Sequence, residues 1–190
     1  DIRSFNKLLD NKCYNPYNRE DIPQYAINNM NKRLEFLKKN NIILEEFEKP
    51  KLTPEQEFNN KISNVFQKID ELNLTAGGTH INWFRDLSFT QLKQLYKVLE
   101  DIWNYRAELD ETKKKLIVPN SVMFPIAPSK IEKLHVSLKK KLQNLILSEM
   151  DKLVSSSEHI EHRSTGGYYI LIALVEVSTE VANSLPWLIQ

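Results

Sequence analysis

The stretch LYKVLEDIWNYRAELD, residues 95–110, lies at the centre of the chain and carries apolar residues at helical spacing. Spacings of three and four are typical of a helix that buries one face. The stripe begins shortly before the stretch and comprises Phe89, Leu92, Leu95, Leu99, Ile102, Arg106 and Leu109. Trp103 is also predicted to lie in the core, because large aromatic side chains are mostly buried. Most of the stretch is therefore predicted to be core and not a site.

Arg106 is the one charged residue on this stripe. A buried guanidinium is costly unless it is paired and hydrogen-bonded. Glu176 is the one acid in the otherwise apolar segment ALVEVS, residues 173–178. We therefore predict that Arg106 and Glu176 form a buried polar pair, or that each has another buried polar partner. The alternative is that Arg106 packs its stem and extends its charged head to solvent.

Three other long segments have apolar residues at helical spacing. They begin at Pro54, at Ser129 and at Tyr168, and each is longer than a usual strand. The last, 168–185, is apolar nearly all round over 168–177, as expected of a helix enclosed by others. We predict an all-α fold, a helical bundle with a central hydrophobic C-terminal helix. The serine-rich segment 154–167 is predicted to be a polar loop.

Local signals mark the ends of these helices. Thr53, followed by Pro54 and then by Gln56, has the spacing of a capping box, and Ser88 is a second N-cap candidate. The glycine pair in AGGTH, residues 76–80, is predicted to end the helix that begins at Pro54. It does not form a phosphate-binding loop, since neither GxxxxGK[ST] nor GxGxxG is present.

The chain is predicted to contain two parts. Residues 1–51 form a small N-terminal helical appendage with helices over 2–9 and 22–40, and residues 52–190 form the bundle domain. The charged, proline-bearing segment 45–54 is the predicted linker. Because the chain starts at Asp1 and ends on the apolar LPWLIQ, we expect it to be a piece of a larger protein.

Composition disfavours several classes of protein. A net charge of +1 provides no general field for nucleic acid or anionic membranes. The single cysteine, Cys13, excludes a disulfide within the chain and a multi-cysteine zinc site, and it favours an intracellular compartment. The longest apolar run, 168–175, is far shorter than the roughly 20 residues that span a bilayer. We therefore expect no membrane contact.

Two aromatic residues are candidates for binding a protein partner, because aromatics dominate interface hot spots. Tyr105 points away from the main stripe. Trp187 lies in LPWLIQ, residues 185–190, where an all-round apolar helix could complete its burial against a second copy of the chain. Homo-oligomerisation is thus one alternative to a different protein partner.

A lysine-rich segment is the candidate for nucleic acid. It contains Lys139, Lys140 and Lys141, and the predicted helix over 129–153 also carries Lys130, Lys133 and Lys152. Phosphate contacts by such a face are one interpretation. A solvated helix face is the more usual one, and no aromatic residues interleave with the lysines as a single-strand platform would require.

Histidines give a weak metal signal. His159 and His162 are three apart, with Glu158 or Glu161 as a further ligand, but a solvated loop is the preferred interpretation. His80 and His135 have no nucleophile or orienting acid nearby in the sequence. We therefore expect no metal, no cofactor and no catalytic residues.

Two segments resemble known families. The helix DLSFTQLKQLYKVLEDIWNYRAELDETKKKLIVP, preceded by INWFRDL and followed by GGYYILIALVEVSTEVANSLPWLIQ, resembles uncharacterised proteins of nucleocytoplasmic large DNA viruses of the mimivirus type. This resemblance covers roughly residues 54–190. It implies a virus-encoded protein in the host cytoplasm or viral factory, or in the virion, and it brings no assigned activity.

The segment NPYNREDIPQYAINNMNKRLEFL, residues 15–37, is similar to the closing part of a U-box domain. Asn15, Pro16 and Arg19 match its DPxTR-like turn, whereas Asn18 replaces the usual threonine. The earlier half of a U-box, which recruits most of the ligase machinery, is absent from this sequence. The resemblance implies ubiquitin ligation only for a parent protein that carries that half.

The sequence thus predicts a non-enzymatic helical protein–protein interaction or scaffold module of a larger viral protein. Its partner is expected to be a viral or host protein. The alternative is a nucleic-acid-associated domain that uses the lysine-rich face of residues 129–152.

Overall fold

The computed structural model describes residues 20–40, 52–119 and 122–189. The chain divides into two compact units, Asp1–Leu52 and Thr53–Gln190. The predicted helix over 2–9 and the U-box-like turn at 15–19 lie outside the described residues, as does most of the predicted linker.

The described residues form helices and no strand, which confirms the predicted all-α class. The α-helices are α1 Gln24–Lys39, α2 Pro54–Glu71, α3 Asn82–Arg85, α4 Phe89–Asp101, α5 Glu111–Ile117, α6 Pro128–Glu132, α7 Lys139–Ser155, α8 Ile160–Val177 and α9 Thr179–Ser184. A π-helical turn, Ile102–Arg106, continues α4. Short 3-10 turns, Val136–Leu138 and Pro186–Leu188, precede α7 and follow α9. Within these ranges, no helix has the combination of length and apolarity that crossing a membrane requires.

The first unit contains α1, within two residues of the predicted helix over 22–40. The helix starts after Pro23 and carries Lys38 and Lys39 in its last turn, where positive charge complements the helix dipole. Leu34 is its buried residue, whereas Tyr25 and Phe36 are exposed.

Capping boxes start α2 and α4, as the sequence indicates. The Thr53 hydroxyl accepts a hydrogen bond from the Gln56 N–H over 3.2 Å, and the Gln56 side chain accepts one from the Thr53 N–H over 2.9 Å. Ser88 and Gln91 form the same reciprocal pair at the start of α4. Each box satisfies two amide donors that the helix itself leaves unpaired.

The end of α2 differs from the prediction, because the helix stops at Glu71 and not at the glycine pair. Asn73 takes a φ of +53°, and Leu74 then turns into the core. Gly78, with a φ of +74°, shapes a later turn in which Asp70 accepts a hydrogen bond from the Thr79 N–H over 2.8 Å. A left-handed asparagine thus ends the helix five residues before the glycine.

The predicted central helix is α8, which packs against α4, α5, α7 and α9. It begins at Ile160, so the prediction of a polar loop through residue 167 is wrong. Gly166 lies where α8 crosses α7, and a Cβ there would lie 2.2 Å from the Leu153 carbonyl oxygen. The glycine permits close approach of two helices and does not break either one.

Three predicted long helices are interrupted in the structure. The helix containing the opening stretch ends at Arg106, and Asp110 caps a separate α5 by accepting from the Lys113 N–H. The helix predicted over 129–153 is divided into α6, a 3-10 turn and α7. Ser178 divides the last segment, because its hydroxyl caps α9 through the Val181 N–H. The core residues of the opening stretch are nevertheless buried, Trp103 included.

Candidate interaction surfaces

Arg106 lies at the end of the π-helical turn, which closes with a hydrogen bond from the Ala107 N–H to the Ile102 carbonyl. Its Nη1 donates to Glu176 Oε1 over 2.5 Å and its Nη2 donates to Glu176 Oε2 over 3.2 Å. Its Nε lies 2.8 Å from Asp101 Oδ2. The structure therefore brings the two predicted partners together, with Asp101 as a third member.

The prediction that this pair is buried is wrong. The side chains of Arg106 and Glu176 are 44% and 38% exposed. Arg106 is the last residue of the π-helical turn, and its charged head reaches solvent there. The hydrogen bond to Glu176 raises the pKa of the Arg106 guanidinium, and desolvation opposes this shift only partly. The pair is a surface clamp between the ends of α4 and α8.

Tyr105 is on the surface, with 69% of the residue exposed. Its ring contacts no other aromatic ring among the described residues, and its hydroxyl makes no hydrogen bond there. Tyr105 is thus a solitary exposed aromatic and not part of a cluster.

Trp187 belongs to an apolar surface that we term the C-terminal aromatic surface: the paired rings of Tyr168 and Trp187, with the exposed Ile189 two residues after Trp187 in the chain. The Trp187 and Tyr168 rings meet edge to face, with centroids 6.2 Å apart. Trp187 is 45% exposed, and the other two are also exposed. Leu185, which is buried, and Leu188, which is partly buried, attach the 3-10 turn to the core. The aromatic pair therefore projects from a fixed segment.

Lys139, Lys140 and Lys141 form the first turn of α7. This turn contains no acid, and Leu138 at the N-cap provides no side-chain hydrogen bond. None of the three lysines forms an ion pair with a described residue. Positive charge at a helix N-terminus opposes the helix dipole. The cluster is therefore an electrostatically unfavourable feature of the isolated fold.

Lys152, also assigned to the lysine-rich face, has a structural role. Its Nζ donates to Glu149 Oε1 over 2.8 Å and to the Val122 carbonyl. Glu149 is fully buried, and its Oε2 accepts from the Phe124 N–H over 2.8 Å. Phe124 has a φ of +51°, which is unfavourable for a bulky residue. Glu149 and Lys152 together hold this loop against α7.

Sequence reasoning missed Glu149 as a buried acid and selected Glu176 instead. The signal was present, because Glu149 follows Ile146 by three residues and precedes Leu153 by four. It thus lies on the apolar stripe of α7, where an acid must find internal partners.

The histidines adopt local roles. The rings of His159 and His162 meet edge to face with centroids 5.7 Å apart. Within the described ranges, no three His, Cys, Asp or Glu side chains are grouped to hold a metal ion. His80 packs its ring against Trp83, and His135 Nδ1 accepts from the Ser137 N–H at the start of a 3-10 turn.

Comparisons of the chain with models of protein families, with curated proteins and with solved structures gave no match. The viral resemblance and the U-box-like segment therefore stay predictions.

Proposed function

We propose that the bundle is a protein-interaction module and that the C-terminal aromatic surface is its docking site. The observation that carries this proposal is the edge-to-face pair of Tyr168 and Trp187, exposed beside Ile189. Exposed apolar clusters commonly mark interaction sites, and tryptophan and tyrosine are enriched among the residues that dominate binding energy.

The support for these side chains favours binding. The buried Leu185 and the partly buried Leu188 hold the turn that carries Trp187, and Tyr168 projects from the central helix α8. Side chains that are already ordered lose less entropy when a partner docks. The resemblance to proteins of large DNA viruses supports a viral or host protein as the partner, inside the infected cell.

The test is affinity capture with the whole chain and with two variants, Trp187→Ser and Tyr168→Ser. The matched control is Val136→Ser, an exposed apolar residue on a different 3-10 turn. We expect a partner that is retained by the native chain and by the control and lost with both surface variants. Retention of the same proteins by all four chains would contradict the proposal. If the partner is a second copy of the chain, light scattering should show a dimer for the native chain and a monomer for Trp187→Ser.

A second candidate function is nucleic-acid binding by the first turn of α7. The supporting observation is the trio Lys139, Lys140 and Lys141, positioned against the helix dipole without a neutralising acid in that turn. Phosphates bound there would relieve the repulsion and add contacts with the helix N-terminus.

Anisotropy of labelled RNA and DNA oligonucleotides at increasing salt tests this second function. Because each phosphate contact contributes roughly 0.7 to 0.9 to the salt slope, Lys139→Ala with Lys141→Ala should lower the slope by about 1.5. Lys113→Ala with Lys115→Ala, which removes two exposed lysines from α5, is the charge-matched control. Equal slopes for the two double variants would exclude a specific role for α7.

A further inference from the structure

A pocket of about 460 Å³ lies between α2, the end of α3 and the start of α7. Helix α2 contributes Phe58, Asn59 and Lys61, α7 contributes Lys140 and Gln143, and Arg85 ends α3. The volume falls within the range of about 300–1,000 Å³ that is usual for sites of small molecules. The pocket does not include the C-terminal aromatic surface.

One amide side chain that lines this pocket, Gln143, is nearly buried and has no protein partner among the described residues. Gln143 is only 6% exposed, and it makes no hydrogen bond with a described residue. Asn59 Oδ1 accepts no hydrogen bond either, but it has no surface that a bound molecule could reach. Leaving such a group unpaired costs about 1–3 kcal/mol, so buried amides are nearly always paired. The Gln143 amide offers a donor and an acceptor to a molecule in the pocket.

Cationic side chains surround the amide. The Lys140 side chain has no partner among the described residues, and Lys61 makes only a 3.4 Å contact with Asn144 Oδ1. Arg85 is paired with its neighbour Asp86 over 3.0 Å. Lys61 and Lys140 therefore remain available to an anionic group.

The remaining walls specify the rest of the ligand. Phe58 provides an aromatic side chain against which a planar ring can pack. Glu55 and Glu57, in the first turn of α2, add carboxylate acceptors that suit sugar hydroxyls. A molecule with a planar hydrogen-bonding ring, hydroxyl groups and a phosphate matches all of these groups.

We propose that this pocket binds a nucleoside phosphate. The base packs against Phe58 and hydrogen-bonds to Gln143, and the phosphate binds Lys61 and Lys140. This inference goes beyond the proposed docking of a protein, and it does not depend on Lys139 or Lys141.

Isothermal titration calorimetry on the whole chain tests the proposal with AMP, GMP, CMP and UMP, with their nucleosides and with inorganic phosphate. We expect at least one monophosphate to bind with a Kd below about 1 mM. That monophosphate should bind at least about tenfold more tightly than its nucleoside and than inorganic phosphate, because only the complete ligand uses both sets of contacts. Absence of such binding, or equal binding of inorganic phosphate, would overturn the proposal.

Two variants locate the binding. Gln143→Met preserves the approximate volume but removes the amide, and it should weaken binding about tenfold. Lys140→Met should weaken it about fivefold, whereas Lys141→Met, the adjacent lysine outside the pocket lining, should leave it unchanged. If Gln143→Met does not fold, Lys140→Met against Lys141→Met decides the matter. Native affinity in Lys140→Met would refute the assignment, whatever the result of protein capture with Trp187→Ser.

Discussion

Arg106 and Glu176, 70 residues apart in the chain, form a bidentate ion pair that connects the end of α4 to the end of α8. Arg106 is the last residue of the π-helical turn that continues α4. Asp101 fixes the guanidinium from one turn earlier. The pair thus joins two helices that are far apart in the sequence.

We expect a double-mutant cycle of Arg106→Gln and Glu176→Gln to give a coupling of about 0.5–1 kcal/mol in the free energy of unfolding. The geometry is bidentate, but exposure of both side chains keeps the energy in the range of surface pairs. The coupling should fall markedly in 1 M NaCl, because salt screens exposed charges. Urea denaturation measures both values. A cycle of Arg106→Gln with Glu180→Gln should give no coupling, because the Glu180 carboxylate forms no ion pair with a described residue.

Replacement of Glu149 by Ala should destabilise the fold by about 2–4 kcal/mol. The Phe124 N–H and the Lys152 ammonium both lose a buried acceptor, and unpaired buried groups are costly. Glu149→Gln retains an acceptor for one of them and should cost less. Glu158→Ala, an exposed acid outside the core, is the control and should change stability by less than about 0.5 kcal/mol. Equal melting temperatures for Glu149→Ala and Glu158→Ala would refute the anchoring role.

Gly166→Ala should be strongly destabilising, by about 2 kcal/mol or more. The new methyl group would lie 2.2 Å from the Leu153 carbonyl oxygen, so α7 and α8 would have to move apart. Gly77→Ala is the matched control, because a Cβ there meets nothing within 4 Å. Thermal denaturation should therefore give a lower melting temperature for Gly166→Ala than for Gly77→Ala, although both substitutions add the same methyl group. Similar melting temperatures for both would contradict the close crossing of the helices.

Tyr96 should make stability depend on pH in the alkaline range. Its hydroxyl donates to the Ile126 carbonyl over 2.8 Å and accepts from the Ile126 N–H over 3.2 Å. Burial raises the pKa of this phenol from about 10 to about 12. The folded chain therefore keeps a proton that the unfolded chain releases above pH 10, and stability falls as pH rises toward 12.

Unfolding of the native chain and of Tyr96→Phe at pH 9 and pH 11 tests this dependence. At pH 9 the native chain should be more stable by about 1–2 kcal/mol, because the variant leaves both Ile126 groups unpaired. That advantage should shrink by roughly 1 kcal/mol at pH 11. Other titrating groups are common to both chains and cancel. A constant difference between the two pH values would show that the phenol is not shielded from water.

The helices and their starts could largely be predicted from the sequence. The period of the apolar residues in 95–110 identified the buried face of α4, and the capping spacing of Thr53 with Gln56 located the start of α2. These features depend on contacts within three or four residues, which sequence patterns encode directly.

Helix interruptions were less predictable. Val177 ends α8 and Ser178 caps α9, although the apolar period continues across both. Gly166 and Gly167 suggested a loop, but both lie within α8, where the Leu153 backbone packs closely on Gly166 and the end of the Leu74 side chain packs on Gly167. The decisive neighbours, Leu153 and Leu74, are remote in the sequence.

By itself, then, the sequence determined the all-α class, the buried stripe through Leu95 and Leu99, and the partnership of Arg106 with Glu176. Only the folded arrangement established that this pair is exposed, that Glu149 is the buried acid, and that the nearly buried Gln143 lines a pocket. The physical reason is the distance along the chain over which each interaction acts. Periodicity and capping are local properties, whereas burial and hydrogen-bond satisfaction depend on which helices the folded chain places side by side.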